Sequence, residues 1–284
     1  MNTAIVSELK SPRTATGPTL EIIDVSPDLA QRWLGLNVAN RDLKPHAIAA
    51  YARDMLAGRW ALNGDAIRFS GDPTGPEKLL DGQNRLHAIL RANITVKMLV
   101  MFGINESAQM TMDSGAKRSV ADNLKIQGHK NNVITAAAAN IAMHVTTGRT
   151  AGGGKFTNAT LQAWIDAHPE VEASASVASK FARRTDVAPS MVAYTHWVFA
   201  QLSPEDADAF WRDAAEKIGL RFGDPVIALT NLFSDARRNR RTIDRRAQLS
   251  AIYRAWNSRR AGKSMTVVKL NSPKGGLIEI PEPK

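Results

Sequence analysis

Apolar residues in the first part of the chain follow two rhythms. Strand-like runs fall at Thr19–Val25, Ala66–Phe69, Lys78–Leu80 and Val96–Phe102, the last being the strongest strand signal of the chain. Helical spacings lie between them. Ser26-Pro27-Asp28 opens one helix, with serine as cap and proline at the first helical position. A second helix runs from Lys44-Pro45 to about Gly58, with Ile48, Tyr51, Ala52 and Met55 on its apolar face. Gly71-Asp72-Pro73-Thr74-Gly75 reads as a turn between two strands, and Asp81-Gly82-Gln83-Asn84-Arg85 runs straight into a helix ending at Ala92. Short helices are expected near Ser107–Met112 and from Ser119, where Ser119-Val120-Ala121-Asp122 has the form of a capping box.

Past residue 127 the strand rhythm stops. Capped helix starts follow at Thr157, Ser203-Pro204, Asp224-Pro225 and Thr242-Ile243-Asp244, with stops at His168-Pro169, Gly219 and Gly262. The pattern predicts an α+β domain over residues 18–127, preceded by a loose arm over 1–17. An all-helical domain over 128–264 follows, then an extended tail over 265–284 packing back on a domain. There are no internal repeats.

Composition narrows the class. The 284 residues are 44% hydrophobic and 23% charged, a globular balance. The absence of cysteine excludes disulfides, thiolate zinc, iron–sulfur clusters and a cysteine nucleophile. No apolar run approaches the ~20 residues of a membrane span, and Met1–Gly17 lacks a signal-peptide core, so a soluble, cytoplasmic protein without a membrane partner is expected.

Charge adds a direction. The net charge is +10, and the segment Ser234–Lys263 holds 10 basic residues against 2 acidic ones. Such a block points to polyanions, nucleic acid first, while a plain solvated helix surface is the alternative. Arg237, Arg238, Arg240 and Arg241 are expected between two helices. Arg245 and Arg246 continue the block at the start of the second, whose Leu249, Ile252, Tyr253 and Trp256 should pack inward. Arginine suits bidentate phosphate contacts, so DNA backbone is the expected partner, with no base-reading helix discernible.

The stretch Leu79–Leu90, LLDGQNRLHAIL, carries the most chemistry. A strand passing through Asp81-Gly82 into a helix presents backbone N–H groups and the positive dipole end together, with Arg85 in the first turn, an arrangement suited to phosphate. On residue types alone this is balanced by a strand–turn–helix whose Asp81 caps the helix and pairs with Arg85.

The box resembles that of the ParB/sulfiredoxin superfamily, and more closely the phage-type ParB-like proteins with a DGQHR-type box. Asn40-Arg41 ahead of the Pro45–Gly58 helix is similar to the Asn-x-Arg box of ParB-type domains, and Trp60–Phe69 to the strand before the phosphate box. The likeness covers about residues 19–125. It implies a nucleoside triphosphate, ATP or CTP, cradled by Gly82, Gln83, Asn84 and Arg85, with Arg41 a second phosphate contact. Asn84 stands where related boxes often have histidine. Gln83 stands where ParB has its glutamate, which puts CTP hydrolysis in question, and the lack of cysteine removes sulfiredoxin chemistry.

Met112–Ser119 places Lys117 and Arg118 in a glycine-containing loop before a capped helix, again suited to anions, and is similar to an Asp-x-Gly-x-x-Arg element of the same proteins. Asp113 there could hold Mg2+ on the phosphates or orient Arg118, or the loop's Asp and Lys could simply pair. Gly152-Gly153-Gly154-Lys155 is no Walker A box, since Arg149 and Phe156 stand where glycine and Ser/Thr are required. The six histidines lack metal-ligand spacing, and no Ser-His-Asp arrangement can be argued from the sequence.

These readings converge on a nucleotide-binding, DNA-associated protein of the phage or mobile-element ParB-like type, with a dimer interface as a further expectation for the helical domain. The alternatives are a phosphotransferase, NTPase or nuclease using Arg85, Lys117 and Arg118 on phosphate and Asp81 or Asp113 for metal or base, and a non-catalytic DNA-binding repressor.

Overall fold

The computed structural model describes residues 17–38, 40, 42–112, 118–148, 156–270 and 276–284, except for the side chains of Met110 and Thr111. It is mixed α and β, in two compact units that divide between Lys117 and Arg118. The division falls ahead of the helix at Val120–Ile126, where the sequence pattern put the boundary after it.

The first unit is built on a four-stranded sheet of order β1-β4-β2-β3, comprising β1 (Thr19–Val25), β2 (Ile67–Asp72), β3 (Gly75–Asp81) and β4 (Val96–Phe102). β4 is central, antiparallel to β1 from Thr19↔Phe102 to Val25↔Val96 and parallel to β2 at Ile67↔Val100. β2 and β3 form a hairpin whose register slips twice, at Arg68/Phe69 and Phe69/Gly71. Alternation decides what each strand buries. Val96, Met98, Val100 and Phe102 of β4 point to the core with Ile67, Phe69 and Leu79. There they meet Ala30 and Trp33 of α1 (Pro27–Leu34), Ala52 and Met55 of α2 (Pro45–Leu56), and Leu86 and Ile89 of α3 (Gln83–Ala92). The opposite sheet face carries the exposed Leu20 and Ile22 of β1 beside the half-buried Met101 and Leu99. The short helix expected near Ser107–Met112 is a 3-10 helix at Glu106–Thr111.

In the second unit the described residues form helices only: α4 (Val120–Ile126), α5 (Asn132–Thr146), α6 (Asn158–Ala167), α7 (Val171–Phe181), α8 (Pro189–Ala200), α9 (Pro204–Glu216), α10 (Pro225–Arg238) and α11 (Arg245–Arg260), with a 3-10 turn at Ala182–Arg184. Ser119, Thr157, Ser203, Asp224 and Asp244 cap five of them through their side chains. Leu249, Ile252, Tyr253 and Trp256 are buried, as their spacing predicts. The tail does pack back: Met265, Val268, Leu270 and Ile280 lie against the helical core. Residues 278–284 run alongside α11. Ser250 Oγ donates to the Glu279 carbonyl (2.6 Å), Asn257 Nδ2 to that of Glu282 (2.7 Å), and Trp256 Nε1 to that of Lys284 (3.0 Å).

Candidate functional sites

The strand-to-helix box of the first unit forms where the sequence puts it, yet its arginine points inward. Gly82 is the N-cap of α3, with φ of 113°. A Cβ there would come within 3.0 Å of Ile67 Cγ1, so both the backbone angle and the packing on β2 require glycine. Asp81 therefore does not cap the helix.

Asp81 acts instead as an ion-pair hub. Its Oδ2 accepts from Arg85 Nη2 at 2.8 Å and from Arg68 Nη1 at 2.7 Å. Arg85 also donates through Nη2 to the Ala66 carbonyl (2.9 Å) and through Nη1 to that of Asp65. With these partners and a side chain only 11% exposed, the guanidinium ties α3 to the chain entering β2. Arg85 in this conformation offers no free fork to a phosphate, and an Asp81 shared by two arginines is poorly suited to hold Mg2+ or take a proton.

The neighbouring amides are also engaged. Asn37 Nδ2 donates to Gln83 Oε1 (3.0 Å), and the buried Gln83 thereby meets the stretch after α1. Asn84 Oδ1 accepts from the Lys44 backbone N–H (3.0 Å), fastening the start of α2 to the start of α3. Asn40 Nδ2 donates to Asn37 Oδ1 (2.6 Å) and the Leu79 carbonyl (2.8 Å). Gln109 Nε2 donates to Asn40 Oδ1 and the Leu80 carbonyl, both at 3.0 Å. Five carboxamides from three separated segments thus line the entry to α3. The sequence marks Asn40, Gln83 and Asn84, while Asn37 and Gln109 emerge only from the fold. Arg41, Asp113 and Lys117 lie outside the described residues. Arg118 is exposed just ahead of the α4 cap, in the second unit, and its carbonyl accepts from Asn158 Nδ2 (2.8 Å).

The arginine block corrects one expectation. Arg237 and Arg238 do not lie between helices but form the last turn of α10, because the apolar period through Leu229, Phe233 and Ala236 carries the helix on, and cations suit a helix C-terminus. Arg237 donates to Asp186, and Ser234 Oγ donates to the same carboxylate (2.7 Å). These two bonds, with the Arg237 charge and a smaller contribution from Lys217, hold the Asp186 carboxyl below its usual range. Arg241 pairs with Asp235, and Arg246 donates to the Ile278 carbonyl. Arg238 and Arg240 are exposed and make no ion pair among the described residues; Arg245 is half-buried and likewise makes none.

The fold adds two cations that linear reading missed. Asp186 follows Arg184 by two residues and Arg183 by three, so its bond to Arg237 ties the stretch carrying this exposed pair to the end of α10. The result is a surface of guanidinium groups from two distant stretches, offset by Asp186 and Asp235.

One arrangement looks catalytic and is not. Ser174 Oγ, His196 and Asp208, from α7, α8 and α9, stand in a row, with His196 Nδ1 2.9 Å from the serine and Nε2 2.9 Å from the carboxylate. Ser174 is 2% exposed, so no substrate reaches it, and the row is a polar staple between three helices. No protein-family model matches the chain, and no characterised protein or solved structure is significantly similar to it.

Proposed function

We propose that this protein binds nucleic acid, gripping the sugar–phosphate backbone with Arg183, Arg184, Arg238 and Arg240, and with Arg237 and Arg241 once they exchange a carboxylate for a phosphate. The observation behind this reading is the Asp186–Arg237 ion pair, which joins the stretch carrying the exposed Arg183 and Arg184 to the end of α10 that leads into the exposed Arg238 and Arg240. Arginine is the side chain best shaped for phosphate, and surface ion pairs of this kind hold only weakly. DNA is the partner that the ParB-like resemblance of residues 19–125 suggests.

For the first unit that resemblance suggests a nucleoside triphosphate, ATP or CTP, with Mg2+. The observation in its favour is that α3 opens on a glycine in the left-handed region, which sets the positive end of the helix dipole directly after β3. Contact would come from backbone N–H groups and Asn84 rather than from Arg85.

The test is the salt dependence of binding to labelled duplexes. Each phosphate neutralised contributes a slope of about −0.9 to log K against log[salt]. Arg238→Gln with Arg240→Gln should therefore flatten the slope by about 1.8, equally on unrelated sequences. A folded double variant with an unchanged slope, or a wild type that binds no duplex, would refute the reading. Thermal shift with each NTP and Mg2+ tests the second part, and absence of stabilisation by all of them would end it.

A further inference from the structure

The loop between α9 and α10 displays two large apolar side chains to solvent. Phe222 is 94% exposed and Ile218 77%. Burying a phenylalanine is ordinarily worth a few kcal/mol, so leaving one fully out is informative when the backbone beneath it is fixed. Here it is fixed. Leu220 packs on the helical core, and Asp224 caps α10 by accepting from the Val226 N–H (2.9 Å). The Gly223 carbonyl accepts from the Met265 N–H (2.7 Å) and Ser264 Oγ (3.2 Å). Gly223 has φ of 84° and lies so close to Ser264 that a Cβ would fall 2.1 Å from its Oγ. The loop is clamped on both sides of Phe222, and the ring stands on a rigid base.

Its surroundings are cationic. Lys217 and Arg221 flank it in sequence and are exposed, against one exposed carboxylate, Glu216, while Asp213 and Asp224 are both engaged by Arg259. The loop and the arginines lie at the two ends of one helix, α10. Along α10, Pro225 and Arg237 are separated by about 18 Å at 1.5 Å per residue, the span of roughly five phosphates of one strand.

We propose that Phe222 is a stacking residue for an unpaired base, so that the preferred ligand is nucleic acid with a single-stranded segment, its backbone lying on the arginine surface. A bare aromatic ring beside cations is the combination that single-strand binding uses, because every base has a π-face and every nucleotide a phosphate. The inference rests on the nucleic-acid reading above and extends it to the kind of strand bound.

The experiment compares wild type, Phe222→Ala and Arg238→Gln/Arg240→Gln on two probes, a fully paired duplex and the same duplex with a single-stranded tail containing 2-aminopurine. Phe222→Ala should weaken binding to the tailed probe about 5–100-fold and abolish the 2-aminopurine quenching, with duplex affinity and salt slope unchanged. The arginine variant should weaken both probes. If Phe222→Ala binds both probes like wild type while the arginine variant fails, the stacking role is overturned and the nucleic-acid reading stands. If wild type binds neither probe, both fall. Co-sedimentation with anionic phosphatidylserine vesicles supplies the other arm. Loss of vesicle binding in Phe222→Ala, with nucleic-acid binding intact, would make the loop a membrane wedge and overturn the proposal.

Discussion

Replacing Arg85 with alanine separates two roles that one guanidinium could play. In the structure it donates to the carboxylate of Asp81 and to the carbonyls of Asp65 and Ala66, and its side chain is 11% exposed. Alanine would leave two carbonyls unanswered and Asp81 dependent on Arg68 alone, itself only 25% exposed. Removing one partner of a largely buried pair costs about 3–5 kcal/mol, and the remaining Arg68 contact keeps the loss toward the lower end. For a domain of this size, 3 kcal/mol lowers Tm by about 10–20 °C. Arg85→Lys, which keeps the charge but not the fork, should recover only part of the loss. The assay is thermal and urea denaturation of the full chain, with hydrogen exchange on β2 and α3 to localise the effect. Because Asp81 and Arg85 share one network, Asp81→Ala and Arg85→Ala should be clearly non-additive. A variant that melts with wild type but loses stabilisation by NTP would refute the structural role and return Arg85 to the phosphate.

Gly82→Ala should destabilise the first unit by about 2–4 kcal/mol, since it combines a strained φ with contact against Ile67, whereas Gly75→Ala, with open space around it, should cost far less in the same melts. Burial lowers the pKa of His196 and Asp208 only partly offsets this, so the unfolded chain takes up a proton at higher pH than the folded one. Stability should fall as pH drops below about 6.5, and a denaturation series from about pH 7 to pH 5 should show His196→Gln with a shallower decline than wild type; an equal slope would remove the histidine as the cause.

Local chemistry wrote much of the fold into the sequence. β1 and β4 stand at the residues their alternation marks, and helices with a Ser, Thr or Asp cap begin where the cap predicts. The helices α5, α7 and α8 carry no such mark, beginning at Asn131, Glu170 and Ala188 without any side-chain cap. α8 is also apolar on nearly every side, so it has no polar face to set a period. The place of the box is legible in the sequence but its polarity is not, because the carbonyls that turn Arg85 inward belong to the irregular approach to β2. Arg183 and Arg184 were equally hidden, since only the Asp186–Arg237 pair brings them to α10.

The central place of β4 sets an order of events during synthesis. β1 is translated first, yet every one of its partners lies in β4, so Thr19 must wait for Phe102. Until then the nascent chain can close only the β2–β3 hairpin, a marginal structure by itself. β1 with its outward Leu20 and Ile22 stays an unpaired strand through that interval. A ribosome pausing before Val96 would prolong the exposure of an aggregation-prone segment, and one pausing just after Phe102 has cleared the exit tunnel would release a sheet able to form whole.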